Sequence, residues 1–157
     1  EQRFQDVWPS DTFYDVIQQL ASRGYIGGYP CGQNDQEPCV SPGNRPYFRL
    51  SANTTRGQLS KIVSKTAQYN DAPGAQNFAD VPEGSPFFVW VQRLSNRGVV
   101  SGYPCGGTNP ATGAPELCDA SSRPYFRVNN NVTRGQTAKI VARTFFPNCQ
   151  TEAPARK

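Results

Sequence analysis

The sequence has no histidine and no methionine, and no apolar run in it approaches the ~20 residues that a membrane-crossing helix needs. Without histidine, His-dependent catalytic triads and zinc sites with imidazole ligands are excluded. The sequence also has no Cys-x-x-Cys pair and no Gly-x-x-x-x-Gly-Lys phosphate loop. We therefore expect a protein that is not an enzyme and that has no metal, no cofactor and no membrane span.

Charged residues are few and scattered along the chain. Lys and Arg number 16 against 12 Asp and Glu, a formal net charge of +4, and the basic residues occur singly. A nucleic-acid-binding surface would gather basic residues with aromatic residues between them, so no nucleic acid partner is expected. The 14 glycines and 14 prolines predict a chain rich in turns and loops, while 9 Phe and 7 Tyr supply large core side chains.

The cysteines and the missing methionine indicate export. Most of the five cysteines lie in segments rich in Gly and Pro, which is typical of disulfides in an oxidising compartment. A chain that begins at Glu1 and lacks methionine is typical of a protein whose leader has been removed. The expected localisation is secreted, either extracellular or on the surface of the cell envelope.

The chain contains an internal repeat. Many residues of 4–32 recur 74 positions later, and the segments 45–49, 55–58 and 61–63 recur 78 positions later, so the second loop is longer. A loop that changes length between copies is expected to lie on the surface. The predicted organisation is a first repeat at 1–69, a linker at 70–77, a second repeat at 78–147 and a C-terminal tail at 148–157.

Each repeat begins with a predicted amphipathic helix. Apolar residues fall at i, i+3, i+4 and i+7, which places them on one face of a helix. Ser85 followed by Pro86 favours a helix start. Gly24 and Gly98 favour the end of a helix, because glycine readily adopts the left-handed conformation found there. The apolar residues are Phe13, Val16, Ile17 and Leu20 in the first copy, and Phe87, Trp90, Val91 and Leu94 in the second.

A second helix is predicted in each repeat. Thr55 with Gln58, and Thr133 with Gln136, form the Thr-x-x-Gln pattern of a capping box. In the second copy the apolar face is expected to include Ala138, Ile140, Val141 and Phe145. The predicted fold is mainly α, with two pseudo-symmetric helix–loop–helix repeats, long disulfide-restrained loops and little strand.

Four of the cysteines occupy corresponding positions in the two loops. Pairing within each loop predicts the disulfides Cys31–Cys39 and Cys105–Cys118, each of which would stabilise its loop by limiting the unfolded chain. Cys149 is then left over. The alternatives for it are a free thiol, an intrachain bond and a bond to another molecule, and the last would link copies of the chain.

The ordered motifs Phe-x-Asp-Val, Leu-x-x-x-Gly, Gly-Tyr-Pro, Phe-Arg and Thr-Arg occur twice, at similar spacings. In this order they resemble the S-layer homology family. The resemblance implies a helical repeat of extracellular surface proteins that attaches non-covalently to cell-wall polysaccharide. It also implies repeats that commonly occur in sets of three around a pseudo-threefold axis.

Six residues are candidates for polysaccharide binding. The two arginines have the planar fork that suits a carboxylate or an acidic sugar, and the resemblance implies an arginine near the glycan. Each kind of residue also has an alternative structural role. The arginines could form internal salt bridges, the aspartates could cap turns, and the tyrosines could pack under their own loops. The candidates are Arg56, Arg134, Asp6, Asp80, Tyr29 and Tyr103.

Two Asn-x-Thr sequons occupy the same place in the two repeats. They make Asn53 and Asn131 candidates for glycosylation in a secreted chain. Helix capping is the alternative role of the sequon threonines, Thr55 and Thr133.

The favoured function is that of a self-assembling subunit of a cell-surface layer or filament, whose partners are other copies of itself. Two repeats would leave uncovered a face that a third repeat normally covers, and an exposed apolar face favours a partner. The alternative function is a cell-wall anchoring module, whose partner is an acidic polysaccharide.

Overall fold

The computed structural model describes residues 1–147, which form four helices and two short strands. The strands pair antiparallel, Gly107 with Glu116 and Thr108 with Pro115. Over the described residues the fold is mainly α, with long loops and little strand. The elements are α1 (Tyr14–Ser22), α2 (Arg56–Thr66), α3 (Phe88–Asn96), β1 (Gly107–Thr108), β2 (Pro115–Glu116) and α4 (Arg134–Phe145).

The chain separates into two compact units. Unit 1 is Glu1–Ala52 and contains α1, whereas unit 2 is Asn53–Lys157 and contains the other three helices and both strands. The boundaries of the units differ from those of the sequence repeats. Helix α2 ends the first repeat in sequence, but it packs against α3 and α4 in unit 2.

The ends of the helices follow from local chemistry. Gly24 and Gly98, directly after the C-caps of α1 and α3, have φ values of +71° and +67°, as predicted for residues that end a helix. The start of α3 lies later than the Ser85–Pro86 pattern predicts. The Phe88 N–H donates to the Ser85 carbonyl at 3.0 Å, so this segment forms a turn before the helix begins.

Both predicted capping boxes are present. Thr55 accepts a hydrogen bond from the N–H of Gln58, whose side chain accepts one from the N–H of Thr55. Thr133 and Gln136 form the same reciprocal pair at the start of α4. These pairs fix where α2 and α4 begin, because they satisfy amides that have no partner inside the helix.

The core of unit 1 is small. It consists of Phe4, Val7 and Ile17, with partly buried side chains around them. The prediction of one buried stripe on α1 was wrong for two residues, since Phe13 is 58% exposed and Val16 is 54% exposed. Because the core lies on the Ile17 side of α1, these two side chains lie at the surface of the unit.

The core of unit 2 is larger and joins all three of its helices. Leu94 of α3 is fully buried in this core, and α4 contributes Ile140. Ala138 and Phe145 of α4 are exposed, so their prediction as core residues was wrong. The buried members of the cluster are Leu59, Val63, Phe78, Val81, Phe88, Val91, Leu94, Val99, Val100, Phe126, Val128 and Ile140.

Each long loop contains one disulfide. Cys31 bonds Cys39 in unit 1, and Cys105 bonds Cys118 in unit 2, which are the pairs that the loop positions predict. The second bond flanks the β1–β2 ladder. Cys149 lies outside the residues that the structure describes.

An ion pair in unit 2 predicts a loss of stability in acid. Arg97 donates to Asp71 at 2.7 Å, and this hydrogen bond lowers the pKa of the Asp71 carboxyl below its ordinary value of 3.8. The pair therefore stabilises the fold above that ordinary pKa, and the contribution disappears as the pH falls through the lowered pKa.

We expect Asp71→Asn to be less resistant to urea than the parent chain at neutral pH, by a small margin because both side chains are partly exposed. The urea midpoints of the two proteins should converge as the pH falls through the lowered pKa of Asp71, below which the carboxyl is protonated in both the folded and the unfolded state. A constant difference across the whole pH range would contradict the pair's contribution.

Candidate functional site

The two candidate aspartates hold backbone amides. Asp80 accepts hydrogen bonds from the N–H groups of Phe126 and Arg127, each at 2.6 Å, and from that of Val128 at 3.2 Å. In unit 1, Asp6 does the same for the amides of Phe48 and Arg49. Both carboxylates thus fix the Phe-Arg segment of their own unit, and among residues 1–147 neither forms an ion pair.

The arginine of each Phe-Arg segment covers a candidate tyrosine. Arg127 has a φ of +59°, an unfavourable region for a residue with a Cβ atom, and the bond from its amide to Asp80 holds it there. Its guanidinium donates to Glu116 at 2.8 Å and lies 3.8 Å from the centre of the Tyr103 ring. Unit 1 repeats the arrangement with Arg49, Glu37 and Tyr29. The tyrosine rings are therefore fixed in place by their own loops.

Arg56 is buried inside unit 2. Only 6% of it is exposed, its Nε donates to the Phe126 carbonyl at 2.7 Å, and its guanidinium lies 4.4 Å from the centre of the Phe126 ring. Burial lowers the pKa of the guanidinium, although an arginine keeps its charge at neutral pH. The positive charge of Arg56 is therefore held at a fixed position by carbonyl and ring contacts.

A cavity of about 200 Å³ opens beside Arg56. It lies within unit 2, between the start of α2, the segment that follows α3, and one face of α4. Gly102 is needed in its wall, because a Cβ atom there would lie 2.8 Å from Pro124. The lining residues are Arg56, Val99, Val100, Ser101, Gly102, Tyr103, Gln136, Lys139, Ile140 and Arg143.

Every charged side chain that lines the cavity is basic. Arg56 supplies a buried charge, while Lys139 and Arg143 of α4 supply more accessible ones. Gln136 donates to the Tyr103 hydroxyl at 3.4 Å, so neutral hydrogen-bonding groups stand beside the cations. This combination suits an anionic ligand that also carries hydroxyl groups.

Only part of the predicted binding set lies together. Arg56 and Tyr103 line the cavity, whereas Asp6 and Tyr29 belong to unit 1. Asp80 is engaged by backbone amides. Arg134 is exposed and is not among the lining residues.

Sequence reasoning missed the contribution of α4 to the cavity. Gln136, Lys139, Ile140 and Arg143 fall at i, i+3, i+4 and i+7, the spacing of one helix face. That spacing was readable from the sequence, but it shows only that the four residues share a face. It does not show what lies opposite them.

A comparison with known protein families finds a match within unit 2. Residues 77–138 match the family model of the S-layer homology domain. The matched segment includes α3, the loop with the Cys105–Cys118 disulfide and the start of α4. A comparison with curated proteins finds no match. The family confirms the resemblance of the sequence motifs for this segment: the chain carries an S-layer homology domain at residues 77–138.

Proposed function

We propose that this chain is a non-enzymatic cell-surface protein whose unit 2 binds an acidic cell-wall polysaccharide. The observation that carries the proposal is the cavity lined by Arg56, Lys139 and Arg143, in which all the charged groups are basic. The S-layer homology domain supports attachment at the cell surface, because such domains act as anchoring modules that bind cell-wall polysaccharide.

The size and chemistry of the cavity favour a single acidic sugar of a longer chain. Its volume of about 200 Å³ is below the ~300–1,000 Å³ of sites that enclose a drug-sized ligand. An arginine binds a carboxylate or phosphate through a planar fork, and a lysine contributes a mobile point charge. Tyr103, fixed beneath Arg127, offers its hydroxyl to a neutral part of the sugar.

The lining of the cavity favours binding over cleavage. Glycoside hydrolysis uses two carboxyl groups on either side of the scissile bond. Among the described residues, no carboxylate lines the cavity, and the sequence has no histidine to act as a base. The site is therefore equipped to hold an anion.

Lys139→Ala is expected to weaken binding of purified acidic wall polysaccharide about tenfold, which corresponds to the loss of one charge-assisted hydrogen bond. The matched control is Lys61→Ala, because Lys61 holds the corresponding position of α2, is exposed and does not line the cavity. Isothermal titration calorimetry at two salt concentrations measures both effects. The affinity of the Lys139 variant should also fall less steeply with added salt.

Equal losses in the two lysine variants would contradict a site in the cavity and would indicate a diffuse attraction to the positive net charge. No binding by the parent chain, with the fold verified by circular dichroism, would contradict the proposal as a whole. Amidation of the carboxyl groups of the polysaccharide should abolish binding by the parent chain.

A second candidate function is self-assembly into a surface layer or filament. It is favoured by an apolar surface on unit 1, where Phe13 is 58% exposed, Val16 is 54% exposed and Leu50 is 37% exposed. Their counterparts in unit 2, Phe87, Trp90 and Val128, are less exposed, so the same positions are covered in one unit and uncovered in the other. The two functions are compatible, since they use different surfaces.

Glycosylation of the two sequons stays a prediction. Asn53 and Asn131 are both exposed, so their side chains are accessible to modification. Thr55 and Thr133 also cap α2 and α4. Mass spectrometry of the native protein would measure any added sugar.

A further inference from the structure

The start of α2 docks closely on the rest of unit 2. The N–H groups of Arg56 and Gly57 donate to carbonyls outside their own helix, those of Asn130 at 2.8 Å and Val128 at 2.9 Å. Thr55 forms a bridge with Asn131 beside these bonds. The first turn of α2, whose amides have no partner inside the helix, is therefore satisfied by the segment that precedes α4.

Small residues allow this close approach. A Cβ atom on Gly57 would lie 2.7 Å from both Phe87 and Val128, so only glycine fits against these side chains. One turn later, Ser60 is fully buried. Arg56 completes the contact, with its side chain held by the Phe126 carbonyl.

The same face of α4 has the same sequence pattern but no such contact. Arg134, Gly135 and Ala138 correspond to Arg56, Gly57 and Ser60, and all three are exposed. A Cβ atom on Gly135 would meet only the Thr133 hydroxyl, at 4.0 Å. Among residues 1–147, none accepts a hydrogen bond from the amides of Arg134 or Gly135, and none binds the Arg134 guanidinium.

Unit 1 has the matching acceptor surface, also uncovered. Phe13, Val16 and Leu50 correspond to Phe87, Trp90 and Val128, and each is more exposed than its counterpart. The carbonyls of Phe48, Leu50 and Ala52 correspond to those that receive α2 in unit 2, and among the described residues none of these three accepts a hydrogen bond.

We propose that the start of α4 docks on unit 1 of a second copy of this chain, as α2 docks on unit 2 within one chain. The proposal rests on the self-assembly function and gives it an interface. The amide of Arg134 then donates to the Ala52 carbonyl of the second copy, and that of Gly135 to the Leu50 carbonyl. Gly135 packs against Phe13, and Ala138 lies where Ser60 lies in the contact within unit 2.

This interface joins two different surfaces, so each chain keeps one free α4 and one free unit 1 after the first contact. Such a head-to-tail contact repeats without limit unless the rotation between copies closes a ring. A filament or a closed ring therefore follows from the interface, and the smallest such ring is two chains that dock on each other reciprocally.

Two variants of the full chain separate the two halves of the interface. Gly135→Leu fills the docking face of α4 where the structure has open space. Phe13→Asp replaces an exposed side chain at the N-cap of α1, a position at which aspartate is favourable. Gly84→Leu is the matched control, because it adds the same side chain at another open position of unit 2. Circular dichroism verifies that all variants fold.

Sedimentation velocity and light scattering measure the outcome. The parent chain and Gly84→Leu should form assemblies of two or more chains, and each docking variant alone should stay at the 17.3 kDa of one chain. An equimolar mixture of the two docking variants should give a species of twice that mass and nothing larger. In this mixture the intact α4 of one variant meets the intact unit 1 of the other.

A monomeric parent chain, continued assembly of either docking variant alone, or a mixture that remains monomeric would each overturn the interface. Polysaccharide binding by the same variants is the separate control, since both keep every residue that lines the cavity. If the parent chain binds polysaccharide but never assembles, the proposed interface is wrong and the proposed anchoring function is unaffected.

Discussion

Leu94→Ala is expected to lower the free energy of unfolding of unit 2 by about 2–5 kcal/mol, the range observed when a buried leucine is emptied. Leu94 is a fully buried member of a cluster that joins α2, α3 and α4. The surrounding side chains come from several elements, so they are not free to collapse into the space that the leucine leaves. Urea unfolding followed by the fluorescence of Trp90, in a Trp8→Phe background, reports on this unit.

Leu20→Ala is the matched control, because Leu20 holds the corresponding position in α1. It is only partly buried and lies outside the core cluster of unit 1. We expect the loss for this variant, followed in unit 1 by the fluorescence of Trp8 in a Trp90→Phe background, to be smaller than for Leu94→Ala. Equal losses in the two variants would contradict the difference in packing between the two units.

Asp80→Ala is expected to destabilise unit 2 by at least about 1.5–3 kcal/mol, the contribution of one hydrogen bond to a charged group, because Asp80 accepts three such bonds. The substitution also releases Arg127 from its positive φ. Asp80→Asn, which keeps one acceptor oxygen, should lose less. Glu83→Ala removes an exposed carboxylate nearby in the sequence and should leave the urea midpoint unchanged.

The Asp80 variants also separate a structural role from direct contact with polysaccharide. If the carboxylate acts through the backbone of its loop, loss of binding should follow loss of stability, and folded Asp80→Asn should still bind. A variant of unchanged stability that no longer binds would instead support the sequence-based prediction of Asp80 as a binding residue.

The sequence predicted those features that depend on neighbouring residues. A capping box needs only Thr and Gln three positions apart, and both boxes formed. A glycine after a helix needs only its own freedom to adopt a positive φ, as Gly24 and Gly98 do. The cysteine positions in each loop were likewise sufficient to predict the disulfides, because the two cysteines of each bond are close in sequence.

The sequence did not predict the features that depend on packing between distant segments. Thr-Arg-Gly-Gln occurs twice, yet Arg56 is buried and Arg134 is exposed. The difference comes from what lies opposite each helix, and the helix sequence does not contain that information. For the same reason, the apolar stripe of α1 was expected to be buried, although Phe13 and Val16 are exposed.

The basic cavity was missed for a related reason. Its wall combines the start of α2, the Gly102–Tyr103 segment and α4, which are far apart in the chain. The resemblance to the S-layer homology family implied a binding role for Arg56. It did not imply that the Phe126 carbonyl holds the arginine in place beside the cavity. Lys139 and Arg143 could not be assigned to the same site from the sequence, because only the structure shows that α4 faces that arginine.

The most direct test of the polysaccharide site is a titration of the isotopically labelled chain with a short acidic fragment of wall polysaccharide, followed by backbone amide NMR. The account predicts saturable shifts at Gly102, Tyr103, Gln136 and Lys139, with an affinity that falls as salt is added. Amides of unit 1 should not shift. Saturable shifts confined to unit 1, or no shift at the cavity when the ligand is in large excess, would contradict it.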